Sequence, residues 1–332
     1  MKLKIKYKAL NIFLLLPKLI GTVLGFLSKS LLVSLKYKIL YFVNFLVKST
    51  NKKIYIFLYP LLYEYLKKMA GDKSLVFQYL SEDQVLMLLD VSKKTQRQIF
   101  LGRPYEEAVT SYVKKTLRPG DVFLDIGANV GYYSLLASKL VGGEGSVVSF
   151  EPEDRNKTSL YQNIKINDFR NIKVFPVAVG EESGFNILNL NPLNEGGHSL
   201  NKHDLYHDSG DIWTKEMILE KFGNEPLEQQ TEVTSLDAFI FDHKDIADKI
   251  SLIKVDVEGF EREVIKGAIV SIKNGFFPRI ICEISDNGSF ISKELENFGY
   301  CVYFIHSDGT KDLVSGPLRP NNYLFERPEK YL

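Results

Sequence analysis

The sequence predicts an α/β domain with a mostly parallel, seven-stranded sheet and helices on both faces, preceded by a basic, apolar helical segment. Three observations carry this reading. Residues 120–151 read as strand, glycine turn, helix and second strand. The alternation continues through a helix over 152–167 and a third strand over 171–177. After a long polar stretch it resumes at Thr234 and runs to residue 326. Such alternation makes successive strands parallel, with the connecting helices packed on the faces.

Taken in order, the chain begins with a stretch unlike the rest. Residues 1–63 contain eleven lysines and no Asp or Glu, so the remaining residues carry 31 basic and 41 acidic side chains. Residues 9–26 are apolar or small except Asn11, Pro17, Lys18 and Thr22. A spanning helix needs about 20 predominantly apolar residues, and Pro17-Lys18 interrupts this one. The segment therefore suits helices lying on a membrane surface, lysines toward anionic headgroups. No small-residue cleavage site follows a compact apolar core, which argues against a signal peptide. The expected organisation is a basic apolar segment over 1–70, a hairpin and linker over 71–102, and the main domain over 103–332, with a long insertion at 191–230.

Within 71–102, the runs 75–80 and 84–91 flank Ser81-Glu82-Asp83 and predict a hairpin. Residues 103–117 predict a helix, with Pro104 early, Glu106 and Glu107 in the first turn, Lys114 and Lys115 near the end, and Pro119-Gly120 as the stop. Residues 180–190 predict a local hairpin. From Thr234 the expected elements are a helix over 235–241, a strand over 251–257 and a helix over 260–273. A strand over 278–285, a helix over 290–298 and strands over 300–306 and 322–326 follow, the last two antiparallel. The two cysteines, Cys282 and Cys301, sit in apolar runs and read as buried small hydrophobes in a reducing compartment. That compartment and the basic segment point to a cytoplasmic protein, peripheral on the membrane's inner face. No zinc motif is present and no metal ligand set is assigned. The acidic body disfavours a nucleic-acid partner, since phosphate binding wants a basic face.

Three groups of residues can carry chemistry. In Asp125-Ile-Gly127-Ala-Asn129-Val-Gly131 the spacing approaches a dinucleotide fingerprint, but Asn129 stands where the second glycine must admit a pyrophosphate. A ligand with an ammonium group and a ribose but no phosphate fits better, and S-adenosylmethionine is such a ligand. Asp125 would orient its amino-acid part, in part through water, and Glu151, at the end of the second strand, would take the ribose hydroxyls. Gly127 would let the ligand approach the backbone.

The second group is Lys254-Val-Asp256-Val-Glu258-Gly259-Phe-Glu261, where strand alternation puts Lys254, Asp256 and Glu258 on one side. Ionisable groups at a buried strand end are costly without a use. A mutual salt bridge is the plain reading; placement beside the transferred group is the functional one. The third is Glu283, at the end of the next strand and expected beside Asp256. These carboxylates could orient an acceptor hydroxyl, take its proton or hold a divalent cation. His198, after Gly196-Gly197, is a further candidate base, while His203 and His207 are spaced to share a helix face.

The motifs VFLDIGANVGYYS, SFEPE, VAVG, TSLDAF, LIKVDVEGFEREVIKGA and ICEIS, in this order, resemble the FkbM-type methyltransferases. The resemblance covers about residues 103–285 and continues through the final strands. It implies a class I methyltransferase fold, Rossmann-like, with S-adenosylmethionine as donor. It also implies O-methylation, with the hydroxyl of a sugar, polysaccharide or glycolipid as acceptor. By the same resemblance Asp125, Gly127, Asn129 and Gly131 match the donor loop, Glu151 the ribose contact and Ala178 the region near adenine. Lys254, Asp256, Glu258 and Gly259 match the family's signature after the fourth strand. Two rival readings are a membrane-tethered adaptor that binds the donor without catalysis and a dinucleotide-dependent dehydrogenase, the latter disfavoured by Asn129.

Overall fold

The structure, a computed structural model, describes residues 76–328 except 82, 102–104, 192–195, 202–204, 209–210, 215–216, 218–226 and 285–288. The basic segment expected over 1–70 lies outside the described residues. Among those described, no helix is long and apolar enough to cross a membrane.

The chain opens with β1 (Val76–Leu80) and β2 (Leu86–Asp90), the antiparallel hairpin that the sequence predicts. The hairpin is followed by α1 (Lys94–Phe100) and α2 (Glu107–Thr116). Helix α2 starts later than residue 103 because Glu106 has φ 47°, a left-handed conformation that cannot continue a helix. Next come β3 (Val122–Ile126), α3 (Tyr132–Val141), β4 (Ser146–Phe150), α4 (Asp154–Ile166) and β5 (Ile172–Phe175). Residues after β5 form β6 (Ala178–Val179), β7 (Gly184–Asn189), β8 (Leu205–Asp208), β9 (Asp211–Thr214) and β10 (Glu228–Thr234). The remainder is α5 (Leu236–Asp242), α6 (Lys244–Ala247), β11 (Ile250–Val255), α7 (Glu261–Lys266), α8 (Ile269–Lys273) and β12 (Arg279–Ile284). It ends with α9 (Ser289–Asn297), β13 (Cys301–Ile305), β14 (Lys311–Leu313) and β15 (Asn321–Glu326).

The main sheet has the order β14-β13-β15-β12-β11-β3-β4-β5. All seven predicted strands are in it, and the short β14 extends the edge to eight. β5, β4, β3, β11 and β12 are parallel, while β15 inserts antiparallel between β12 and β13. Strand alternation sorts the core. Val122, Leu124 and Ile126 pack with Phe239, Val264 and Ile272 on one face. Phe123 and Leu252 pack with Val113, Tyr133 and Ala137 on the other. A polar side chain at a strand's carboxyl end therefore emerges where helices of both faces begin.

Two expectations are corrected. Residues 180–190 do not form their own hairpin: β7 pairs antiparallel with β10, whose other edge takes β6 in parallel. The helix expected over 260–273 is two helices. It breaks at Gly267, where a Cβ would lie 2.0 Å from the Gly180 carbonyl oxygen. Asp237 supports the break by accepting the Val270 and Ser271 N–H groups at the start of α8, at 2.9 and 2.7 Å.

The leading hairpin is fastened to the sheet domain by two asparagines of the α4 region. Asn163 accepts the Leu88 N–H, and Asn167 both accepts from and donates to the Leu86 backbone. Helix α1 is tied in turn to the hairpin. Gln96 accepts the Asp90 N–H, and the buried Arg97 donates to the carbonyls of Val91 and Ser92.

Candidate active site

The carboxyl ends of β3, β4, β11 and β12 converge, as ligand sites in open α/β sheets do. The loop after β3 is wound tightly: Gly127, Asn129 and Gly131 have φ of 85°, 52° and 95°. Asn is one of the few residues that tolerate this region. A Cβ on Gly127 would lie 1.9 Å from the Asp256 carbonyl oxygen. The end of β11 thus requires a glycine here, while the Gly127 backbone lines both cavities of the site. At Gly131 the left-handed φ of 95° is the main demand for glycine, since a Cβ there would meet only the Leu160 Cδ1.

Asn129 joins this loop to β4: its N–H donates to Glu151 Oε2 at 2.7 Å, while Glu151 Oε1 accepts the Glu153 N–H at 2.9 Å. Glu151 is only 5% exposed, and burial pushes its carboxyl up to about 7. Asp125, on the α3 face of β3, accepts from Ser134 Oγ at 2.5 Å. Burial raises it to about 6, with the Lys254 ammonium acting in the opposite direction.

Glu151, Ala178, Asn129 and Gly127 line a narrow cavity of about 60 Å³, together with Phe150, Leu188 and His198. His198 enters from the insertion, whose Asn201 donates to the Gly259 carbonyl at 2.6 Å. The His198 ring accepts the Asn191 N–H at Nδ1, 2.9 Å away, and burial lowers its pKa to about 4. The ring is neutral with its proton on Nε2, and so presents a donor. To act as the expected base it would have to take a proton at Nδ1, which the Asn191 N–H already occupies. His207 lies in strand β8, not on a helix, and His203 is outside the described residues.

A second cavity, about 290 Å³, shares Gly127, Asn129, Gly196, Asp256 and Glu258 with the first. It adds Asp125, Lys254 and three tyrosines, Tyr105, Tyr132 and Tyr133, with helix α1 contributing Lys94, Thr95, Gln98 and Ile99. Lys254 is 2% exposed. Its Nζ lies 2.6 Å from Asp256 Oδ2, 3.8 Å from Glu106 Oε2 and 4.8 Å from the centre of the Tyr133 ring. Burial disfavours the ammonium, but Asp256, Glu106 and Asp125 outweigh it and raise the pKa above the usual lysine value.

Asp256, Glu258 and Glu283 bring carboxylate oxygens within 4.8 Å of one another. The expected Asp256–Glu283 neighbourhood is therefore present, with Glu283 on β12. Burial opposes the charge on Asp256, yet Lys254 and a hydrogen bond from Glu283 hold its pKa below the usual value. Burial and the Asp256 charge push Glu283 up, so a proton taken up by this pair favours Glu283. Glu258 is raised to about 8, first by burial and then by Asp256. It sits past the end of β11 with φ 52°, reached through a strained turn and not by strand alternation. Glu261 plays a structural part, accepting the Val257 and Gly259 N–H groups at 3.1 Å each.

The structure adds residues that the sequence does not mark. Glu106 reads in sequence as a helix-dipole partner, but it accepts from Tyr133 Oη at 2.9 Å and from Asn322 at 3.0 Å, and it faces Lys254. Tyr105 packs edge-on to Tyr132, with ring centres 5.4 Å apart. Nothing in local periodicity distinguishes such tyrosines from core residues.

A family model described as the methyltransferase FkbM domain matches residues 125–308. Methyltransferase 1 of Beauveria bassiana (strain ARSEF 2860) is 23% identical over 210 residues, covering 62% of this chain and 80% of the relative. The 31-O-demethyl-FK506 methyltransferase FkbM of Streptomyces tacrolimicus is 31% identical over 183 residues, covering 51% and 67%. The crystal structure of methyltransferase FkbM from Methylobacillus flagellatus KT aligns at 17% identity and a TM-score of 0.38, over 65% of this chain and half of that one. The strand order, the paired acidic strand ends and the matched span lead to one assignment: the chain belongs to the FkbM methyltransferase domain family.

Proposed function

We propose that the protein moves the methyl group of S-adenosylmethionine to a hydroxyl oxygen of a sugar, polysaccharide or glycolipid. The observation that carries this is the pair of neighbouring cavities that share Gly127, Asn129, Gly196, Asp256 and Glu258. In one, Glu151 suits ribose hydroxyls, with Ala178, Phe150 and Leu188 offering an apolar surface to a base. The other, lined by Asp125, Asp256 and Glu258 with Glu283 close beside the last two, suits an amino acid and an incoming hydroxyl.

In the reaction, the acceptor oxygen attacks the methyl carbon and the carbon–sulfur bond breaks. The electron pair stays on sulfur, giving S-adenosylhomocysteine. The donor is already activated, so the protein supplies alignment and a place for the hydroxyl proton. Glu258 suits that role best: its raised pKa makes its carboxylate a stronger base than Asp256, which the Lys254 ammonium holds ionised. Glu283 can hold the acceptor hydroxyl, and Lys254 fixes Asp256. His198 Nε2 offers a hydrogen bond on the adenosine side. A divalent cation on Asp256, Glu258 and Glu283 would find all-oxygen ligands and would acidify the acceptor hydroxyl.

Residues 1–63, with eleven lysines and no acidic side chain, support a cytoplasmic location against an anionic membrane surface. Vesicle flotation of the full chain and of a chain lacking those residues tests this part. The reaction is tested by mass spectrometry of glycolipids and surface polysaccharide from cells with and without the gene. One methyl group should be missing from a single species when the gene is absent. Calorimetry should show binding of S-adenosylhomocysteine and none of NAD; the reverse result would exclude the donor.

A further inference from the structure

We propose that the end of the sheet opposite the active site holds a second ligand site, a basic cavity that takes a phosphate ester. A cavity of about 660 Å³ lies between the amino ends of β3, β11 and β12. A strand advances about 3.3 Å per residue, so the length of β11 separates this cavity from Asp256 by roughly 17 Å. A group bound here touches none of the reacting atoms. Lys249, Lys273, Arg279 and Arg327 line the cavity, against Asp121 and Asp248. Asp121 is already engaged, its Oδ2 accepting the Arg118 N–H at 2.7 Å. The local surplus of positive charge runs against the chain around it, because residues 64–332 carry 31 basic and 41 acidic side chains.

Arg327 selects the ligand. It is 9% exposed, with Nε donating to the Phe298 carbonyl at 3.1 Å and Cζ 5.1 Å from the centre of the Tyr300 ring. Those contacts fix the guanidinium without neutralising it. Among the described residues no carboxylate pairs with Arg327: its neighbour Glu326 is taken by Arg279, at 2.8 Å, and by Lys311. A buried cation without a counter-ion is unfavourable, and a phosphate supplies one in a shape that the planar guanidinium matches. Gly275 leaves the room for it, since a Cβ there would lie 3.1 Å from Arg327 Nη1. Helix ends explain less. Lys249 follows α6 and Lys273 ends α8, places where a cation offsets the helix dipole. Yet the last carbonyls of α8 are already taken, those of Val270, Ile272 and Ser271 accepting the N–H groups of Asn274, Gly275 and Phe276. Both lysines are exposed, and their long side chains can bring the ammonium groups onto a phosphate held by Arg327.

The test uses the full chain at low ionic strength and two probes that carry the same phosphate monoester: glycerol 3-phosphate in solution, and phosphatidic acid in phosphatidylcholine vesicles. In isothermal calorimetry, Lys249→Gln combined with Lys273→Gln should weaken glycerol 3-phosphate binding about tenfold, and Arg327→Met about ten- to a hundred-fold. Lys165→Gln combined with Lys173→Gln removes the same charge at exposed positions outside the cavity, and should leave binding within about twofold of the unaltered chain. Urea unfolding checks that Arg327→Met folds; if it does not, the exposed pair Lys249 and Lys273 decides alone. Vesicle flotation then assigns the source. Weaker flotation on phosphatidic acid for the Lys249 and Lys273 pair supports the site with a lipid headgroup as its ligand. Unchanged flotation with weakened glycerol 3-phosphate binding supports it with a soluble ester. Failure of the unaltered chain to bind either probe, or the same affinity in the two lysine pairs, would overturn the site.

Discussion

At the end of β4, Glu151 takes backbone N–H groups from Asn129 and Glu153, whereas at the end of β11 Glu106 and Asp256 share the Lys254 ammonium and Glu258 and Glu283 crowd in beside them. Both places bury acids, but they compensate them by different means. Backbone donors belong to the fold and cannot be titrated away, so Glu151 keeps the same two N–H partners even as its own carboxyl titrates near 7. Side-chain charges must be balanced by other side chains, and beside Lys254 there are more acids than cations. The first arrangement suits recognition of a constant group; the second suits taking up a proton or a cation.

The sharpest way to break this contrast is Lys254→Met. Removing one member of a buried ion pair costs about 3–5 kcal/mol, and urea unfolding should show a loss of that size together with loss of turnover. A near-neutral effect would mean that the carboxylates take up protons at no cost, and the two ends of the site would then be alike. Next in size is Gly127→Ala. Its Cβ would lie 1.9 Å from the Asp256 carbonyl, at a φ of 85°. Strain and overpacking together should remove about 2–4 kcal/mol, read from the same unfolding curves.

Glu258→Gln should leave the affinity for S-adenosylhomocysteine unchanged while lowering turnover by about 10²–10⁴-fold. In the unaltered protein, turnover should rise as pH increases toward about 8, because Glu258 accepts a proton only once ionised. A variant that keeps full turnover would move the base elsewhere.

Glu151 gives a smaller effect, in stability. Its folded pKa, about 7, lies above the ordinary value of 4.5, so the folded form binds the proton more tightly than the unfolded form. That contribution is complete below about 4.5 and is lost as pH rises through about 7. Unfolding free energy of the ligand-free chain should therefore fall over this range, by on the order of 1–3 kcal/mol, and Glu151→Gln should flatten the fall. Smallest of all is His198→Ala, expected to weaken donor binding about three- to tenfold, the loss of one hydrogen bond. The loss should be the same between pH 5 and 8, because the ring is neutral throughout.

The parts of this fold that can be read from sequence are those whose cause is local. Val122–Ile126, Tyr132–Val141 and Ser146–Phe150 are visible because apolar spacing and glycine stops act over a few residues. The pairing of β7 with β10 is not visible, since the partner of Phe185 is Glu232 and nothing near either residue signals the other. Gly127 is recognisable as a turn residue, but the carbonyl that demands it belongs to Asp256. Asp125, Glu151, Asp256 and Glu258 stand out because acids at the ends of apolar runs are unusual. Glu106 does not, because an acid in an early helical turn is ordinary. Only its left-handed backbone and its place opposite Lys254 set it apart.

The position of β15 bears on how the chain is made. It is the last strand in sequence, yet it lies between β12 and β13 and is hydrogen-bonded to both. Until residues 321–326 leave the ribosome, the buried, largely apolar strand Arg279–Ile284 has one edge with no partner. An open edge of that kind is a template for pairing with other chains. A premature stop before Asn321 should therefore do more than trim the end. It would leave a nearly finished sheet with an adhesive seam in its middle, and the product should collect in the insoluble fraction.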